Sequence, residues 1–122
     1  MKIIVPSLGR AGTSPSMKWL QQANRPITFA VHSNEIDAYR KAYPDVNILE
    51  LLEEHRHQVG LIRKWLMQQT REPFFFVDDD IRIGLKSNLN IEQCFDVLER
   101  HINSGVSMAG FGQQLFCNSQ ID

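Results

Sequence analysis

Pro73-Phe74-Phe75-Phe76-Val77-Asp78-Asp79-Asp80-Ile81 is the stretch from which the rest of the chain can be placed. Four consecutive apolar residues, three aromatic and one β-branched, read as a strand buried on both faces, of the kind found in the middle of a parallel sheet. Three carboxylates follow at once. Adjacent negative charges repel one another, so the run invites a cation that offsets the cost. In open α/β sheets ligands lie outside the carboxyl ends of the strands, where these aspartates fall. Residues two apart in an extended segment share a side, so Asp78 and Asp80 can converge on one cation while Asp79 faces the other way. A hard divalent ion, Mg²⁺ or Mn²⁺, suits such oxygen donors and completes its shell with water and substrate phosphates. A nucleotide diphosphate is then the natural third partner, and a solvated acidic turn is the plain alternative.

Working outward, Arg71-Glu72-Pro73 turns into this strand from a helix predicted over Val59 to about Thr70, with Val59, Ile62, Trp65 and Leu66 on one face. Before it, Glu53 to Gln58 is a polar connector suited to a ligand-binding loop. Asn47 to Leu52 gives a weak strand. It follows a helix carrying Ile36, Tyr39 and Tyr43, which Ser33 or Asn34 can cap and which must stop before Pro44. Ile27 to Val31 and Lys2 to Val5 are strand-length apolar runs. The first strand feeds Pro6-Ser7-Leu8-Gly9-Arg10-Ala11-Gly12-Thr13, a loop able to present backbone N–H groups to a ligand. Ser14-Pro15 then reads as the N-cap and first residue of a helix reaching about Ala23. Downstream, Asn90 and Gln93 have capping-box spacing, Ile91, Phe95, Leu98 and Ile102 form one stripe, and Gly105 follows as a stop. Val106 to Phe111 reads as a fifth strand. Strict alternation of strand and helix predicts an α/β fold: three α/β/α layers around a mostly parallel, Rossmann-like sheet of about five strands, one domain over residues 1–122.

The bulk figures set limits. Hydrophobic content of 43% and charged content of 22% are those of a globular chain, and a net charge of −1 argues against a general polyanion-binding surface. Any nucleic acid would be met through a local site. Cys94 and Cys117 match no metal-ligand spacing and read as reduced, packed thiols. The opening Met1-Lys2-Ile3-Ile4-Val5-Pro6 is too short for a signal peptide, and no run approaches the roughly 18 apolar residues of a membrane span, so a cytoplasmic location is expected. His55, His57 and His101 lack the further donors a zinc site needs.

Val59-Gly60-Leu61-Ile62-Arg63-Lys64-Trp65, about fifteen residues before Asp78-Asp79-Asp80, together with Ile3-Ile4-Val5-Pro6-Ser7 and Arg10, resembles family-2-type glycosyltransferases of the GT-A fold. In that family a loop glycine and a helical arginine precede the strand carrying the DXD motif. The resemblance implies the nucleotide-binding half of the fold, a nucleotide-diphosphate sugar of UDP or GDP type as donor, and Mn²⁺ or Mg²⁺ as cofactor. It implies that Asp78 contacts ribose or sugar, with Asp79 beside it in the donor site, and that Asp80, with Asp78 as a second ligand, holds the metal. Gly60, Arg63 and Arg10 fall to the diphosphate, Pro6 and Ser7 to the base pocket, and His32 and Ser33 to its edge. Complete relatives continue past the motif into an acceptor-binding half, whereas this sequence ends about forty residues after Asp80. That length suggests a fragment, one part of an assembly with a partner domain or further copies, or a shortened relative. Glu92, Asp96 and Glu99 sit on a predicted helix and make poor general bases. A non-catalytic nucleotide-sugar-binding or assembly module is the alternative. A Mg²⁺-dependent phosphoryl-transfer domain would need a nucleophilic aspartate where Pro6-Ser7 stands. Short glycosyltransferase-like proteins of bacteriophages, some associated with sugar modification of DNA bases, are similar at the level of the fold.

Overall fold

The computed structural model describes residues 1–82 and 90–105. The elements alternate as expected: β1 (Ile3–Pro6), α1 (Met17–Leu20), β2 (Ile27–Val31), α2 (Ile36–Ala42), β3 (Asn47–Glu50), α3 (Val59–Gln69), β4 (Phe75–Phe76) and α4 (Ile91–Asn103). All strand pairings are parallel, in the order β3-β2-β1-β4. The described sheet thus has four strands. The fifth, predicted over Val106 to Phe111, lies outside the described residues, as does Cys117. Cys94 is a free, half-buried thiol.

Alternation along each strand sorts side chains to two faces. Ile3 and Val5 of β1, Phe29 of β2 and Phe75 of β4 meet α1, α2 and α4 through Leu20, Tyr39 and Phe95. Ile4 and Ala30 point the other way, onto Ile62 and Leu66 of α3. The chain moves outward through β1, β2 and β3 with its helices on one face. It then returns past β1 to β4 with α3 on the opposite face, as crossovers of a single hand require. The sheet therefore has a topological switch between β1 and β4, the place where such folds hold ligands.

Three local readings need correction. The aromatic run is not a strand buried on both faces: β4 is an edge of the described sheet, Phe75 is buried, and Phe76, beside Ile4 in the ladder, is 37% exposed. The first helix has no cap from Ser14, whose hydroxyl instead bonds the Asp79 carbonyl, and it tightens to a 3₁₀ turn over Gln21–Ala23. Neither Ser33 nor Asn34 caps α2; both belong to a 3₁₀ turn, and Asn34 accepts from Arg56. The capping box of Asn90 and Gln93 on α4 is present as read.

α4 is held by more than its apolar stripe. Arg25 donates to Glu99 and, at 2.6 Å, to Asp96, and it lies 5.5 Å over the Phe75 ring. The amino-terminal ammonium pairs with Glu99 at 3.3 Å. The Arg25 hydrogen bond holds the Glu99 carboxyl below its ordinary range, against an opposing push from burial. Because the folded state lowers this pKa, the contribution is complete above the unfolded value near 4.5 and is lost as pH falls through the folded value. Urea midpoints measured from pH 6 down to pH 3 are expected to fall with acid in the wild type. In Arg25→Met the dependence flattens, with a loss of about 2 kcal/mol at neutral pH.

Candidate functional site

Each parallel strand ends on the same side of the sheet, and the residues just past those ends enclose a cleft of about 400 Å³. Pro6 ends β1 and Ser7, Leu8 and Arg10 follow it, His32 follows β2, Leu51 follows β3, and Asp78, Asp79 and Asp80 follow β4. His57, Val59, Ile62 and Arg63 close it from the start of α3. A larger cleft, about 740 Å³, opens at the starting ends of β2 and β3 beside Tyr43 and Arg25. That end lacks the carboxylate turn and the switch point, so the smaller cleft is the candidate site.

The three aspartates are not equivalent. Asp78 and Asp80 are 50% and 53% exposed at the side chain, whereas Asp79 is 13% exposed. Arg63 of α3 reaches Asp78 at 2.7 Å, one turn of helix from where α3 begins. Arg10 reaches from the other wall, with Nε 3.3 Å from Asp79 and Nη2 4.0 Å from Asp80. Two guanidinium groups and three carboxylates thus face one another across the strand tips. Positive φ at Gly9 and Gly12 lets the Arg10 loop fold back, and the Gly9 N–H donates to Glu35 at 2.6 Å.

The backbone of the acidic turn is pinned from α1. Ser14 Oγ and the Ser16 N–H donate to the Asp79 carbonyl at 2.6 and 3.3 Å. Ser16 Oγ donates to the Asp78 carbonyl and accepts from the Ile81 N–H at 2.9 Å. Trp19 Nε1 donates to the Ile81 carbonyl. Beneath the turn, Ser7 Oγ lies 2.5 Å from Asp79 Oδ2 and 2.6 Å from the Tyr39 hydroxyl, which also accepts the Arg10 N–H at 3.0 Å. Burial raises the Tyr39 phenol above its ordinary range.

Of the residues singled out in the sequence, Pro6, Ser7, Arg10, His32, Arg63, Asp78, Asp79 and Asp80 meet at this cleft. Ser33 is exposed and outside the lining. Gly60 is not in a loop but is the second residue of α3, also outside the lining. His32 is 2% exposed, and burial, then the Arg56 charge, lowers its pKa toward the neutral imidazole, against Glu53, whose Oε2 lies 3.6 Å from Nδ1, just beyond hydrogen-bond distance. Sequence reasoning missed Tyr39, Ser14 and Ser16 as members of the site, and His57 as part of its wall.

A family model described as TET-associated glycosyltransferase matches residues 1–120. The chain belongs to that glycosyltransferase family. No curated protein and no solved structure matches it. A glycosyltransferase handles a sugar donor and an acceptor. Among the described residues no helix is long and apolar enough to cross a membrane. Among the same residues no three imidazole, thiolate or carboxylate groups gather as a ready-made metal cluster.

Proposed function

We propose that this glycosyltransferase binds a nucleotide-diphosphate sugar, of UDP or GDP type, in the cleft between the β1 loop and the acidic turn, and transfers the sugar to a hydroxyl acceptor. The observation that supports it most is the placement of Arg63 and Arg10 on opposite walls, each engaged with an aspartate at the strand tips. A metal–diphosphate complex exchanges these partners: the arginines take phosphate oxygens and the carboxylates take the cation. α3 starts at the cleft without a side-chain cap, which leaves its first N–H groups and the positive end of its dipole for the same anion.

Asp78 and Asp80 supply two hard oxygen donor groups in one cleft, a set that fits Mg²⁺ or Mn²⁺ with water and phosphate completing the shell. Bound there, the ion would act as a Lewis acid toward the leaving diphosphate. Asp80 would hold it, with Asp78 reaching ribose or sugar as well. Pro6, Ser7 and His32 would form the base pocket. Asp96 and Glu99 are engaged by Arg25 on α4 and take no part in the cleft.

The acceptor follows from chemistry and from the family. Transfer needs a nucleophilic acceptor, and an alkyl hydroxyl is the simplest one. The matched family is described as TET-associated, and phage proteins of similar fold accompany sugar modification of DNA bases. Ordinary DNA bases carry no alkyl hydroxyl, so a hydroxymethylated base in DNA is the acceptor class to test. Calorimetric titration with UDP- and GDP-sugars, with and without Mn²⁺, is expected to show binding that the metal strengthens about tenfold or more. Mass spectrometry of a hydroxymethylated duplex then reads transfer. Binding without transfer would select a non-catalytic module, and no binding under any condition would overturn the proposal.

A further inference from the structure

We infer that Asp79 is not a ligand-binding member of the aspartate run but the anchor of a circuit through Ser7, Tyr39 and Arg10, made of three hydrogen bonds and closed by an ion pair, which positions the two aspartates on either side of it. The inference rests on the donor-site reading above for its functional consequence and on geometry alone for the circuit.

The direction of each bond follows from counting protons. An ionised carboxylate only accepts, so Ser7 gives its single hydroxyl proton to Asp79 Oδ2 at 2.5 Å. Ser7 Oγ can then only accept from Tyr39 across their 2.6 Å contact, which makes Tyr39 the donor there. The Tyr39 oxygen has a lone pair left and takes the Arg10 N–H at 3.0 Å. The Arg10 side chain closes the ring, with Nε 3.3 Å from the same Asp79 oxygen that Ser7 reaches. The three hydrogen bonds and the ion pair together join the β1 loop, α2 and the acidic turn. Tyr39 and Ser7 are buried, and Tyr39 is locked between Phe29 and Tyr43, so the circuit has a rigid base. Asp79 faces this base, while Asp78 and Asp80 stand half exposed at the cleft. Since Ser14 and Ser16 separately fix the carbonyls of Asp78 and Asp79, Asp79 sets where Arg10 and the turn's side chains point rather than whether the turn exists.

Tyr39→Phe and Asp79→Asn are near-isosteric and keep the ring packing and the turn. Each is expected to raise the Kd for nucleotide-sugar in Mn²⁺ by about tenfold, as loss of a charge-assisted bond predicts. The double variant should be no weaker than Asp79→Asn alone, because both changes open one circuit. Additive losses would overturn the inference, as would a large loss in Asp79→Asn with none in Tyr39→Phe, the pattern of a direct ligand contact. Amide hydrogen exchange at Arg10, read without any nucleotide, tests the circuit separately. Either substitution should speed exchange at that amide by about tenfold or more, relative to an unchanged amide in α4. Unchanged exchange overturns the circuit even if donor binding is lost. Faster exchange in the variants, combined with a wild type that binds no nucleotide-sugar, would leave the circuit standing and defeat the donor reading instead.

Discussion

Asp80→Asn is expected to cut metal-dependent sugar transfer by roughly a hundredfold or more while leaving the fold intact. Loss of a group that only orients a metal ligand costs about 10- to 100-fold, and loss of the ligand itself should cost at least as much. The side chain is 53% exposed and its contact with Arg10 is a long one, 4.0 Å, so its charge adds little to folding. The unfolding midpoint should therefore shift by no more than surface substitutions do, within about 0.5 kcal/mol. Asp78→Asn serves as the comparison. It frees Arg63 and, in the proposed donor pose, removes a contact to ribose or sugar, so it should raise the donor KM more than it raises the metal concentration needed for half activity. Equal metal dependence in wild type and Asp80→Asn would remove Asp80 from the metal role.

The second large effect concerns the base of the site. Phe29 is fully buried in the central layer, stacked on Tyr43 with centroids 5.0 Å apart and tilted against Tyr39 at 5.1 Å. Phe29→Ala should cost about 3–5 kcal/mol in a urea titration, for lost transfer energy and the cavity left behind. For a chain of this length that corresponds to a melting shift of about 12–20 °C, a large share of a typical stability of about 5–15 kcal/mol. Because the same ring braces Tyr39, the protein that remains folded should also bind donor more weakly. A cost below about 1 kcal/mol would mean that the site is not built on this aromatic stack.

The alternation of strands and helices could be read from the sequence because apolar periodicity is local, and so could the capping box of α4, whose two partners are three residues apart. The position of β4 could not. A run of aromatic residues does not say which strand it lies beside, and within the described sheet the pairing with β1 settles that. Ser14 illustrates a second limit. By local rules serine before proline accepts a helix N–H as a cap, but the helix begins only at Met17 and the Ser14 hydroxyl donates to the Asp79 carbonyl, 65 positions along the chain. Tyr39 illustrates a third: its ring fits the apolar stripe of α2, and nothing in the spacing reveals that its hydroxyl meets Ser7. The charged members of the cleft were easier to find, since clustered aspartates and arginines near strand ends carry a chemical signal that does not depend on their neighbours.

The account turns on where the diphosphate goes. A crystal structure grown with a nucleotide-sugar and Mn²⁺ tests it most directly. The prediction is a metal on Asp80, the diphosphate between Arg10 and Arg63, and the base against Pro6 and His32. A metal held away from Asp80, or a nucleotide seated in the cleft beside Tyr43 and Arg25, would contradict it.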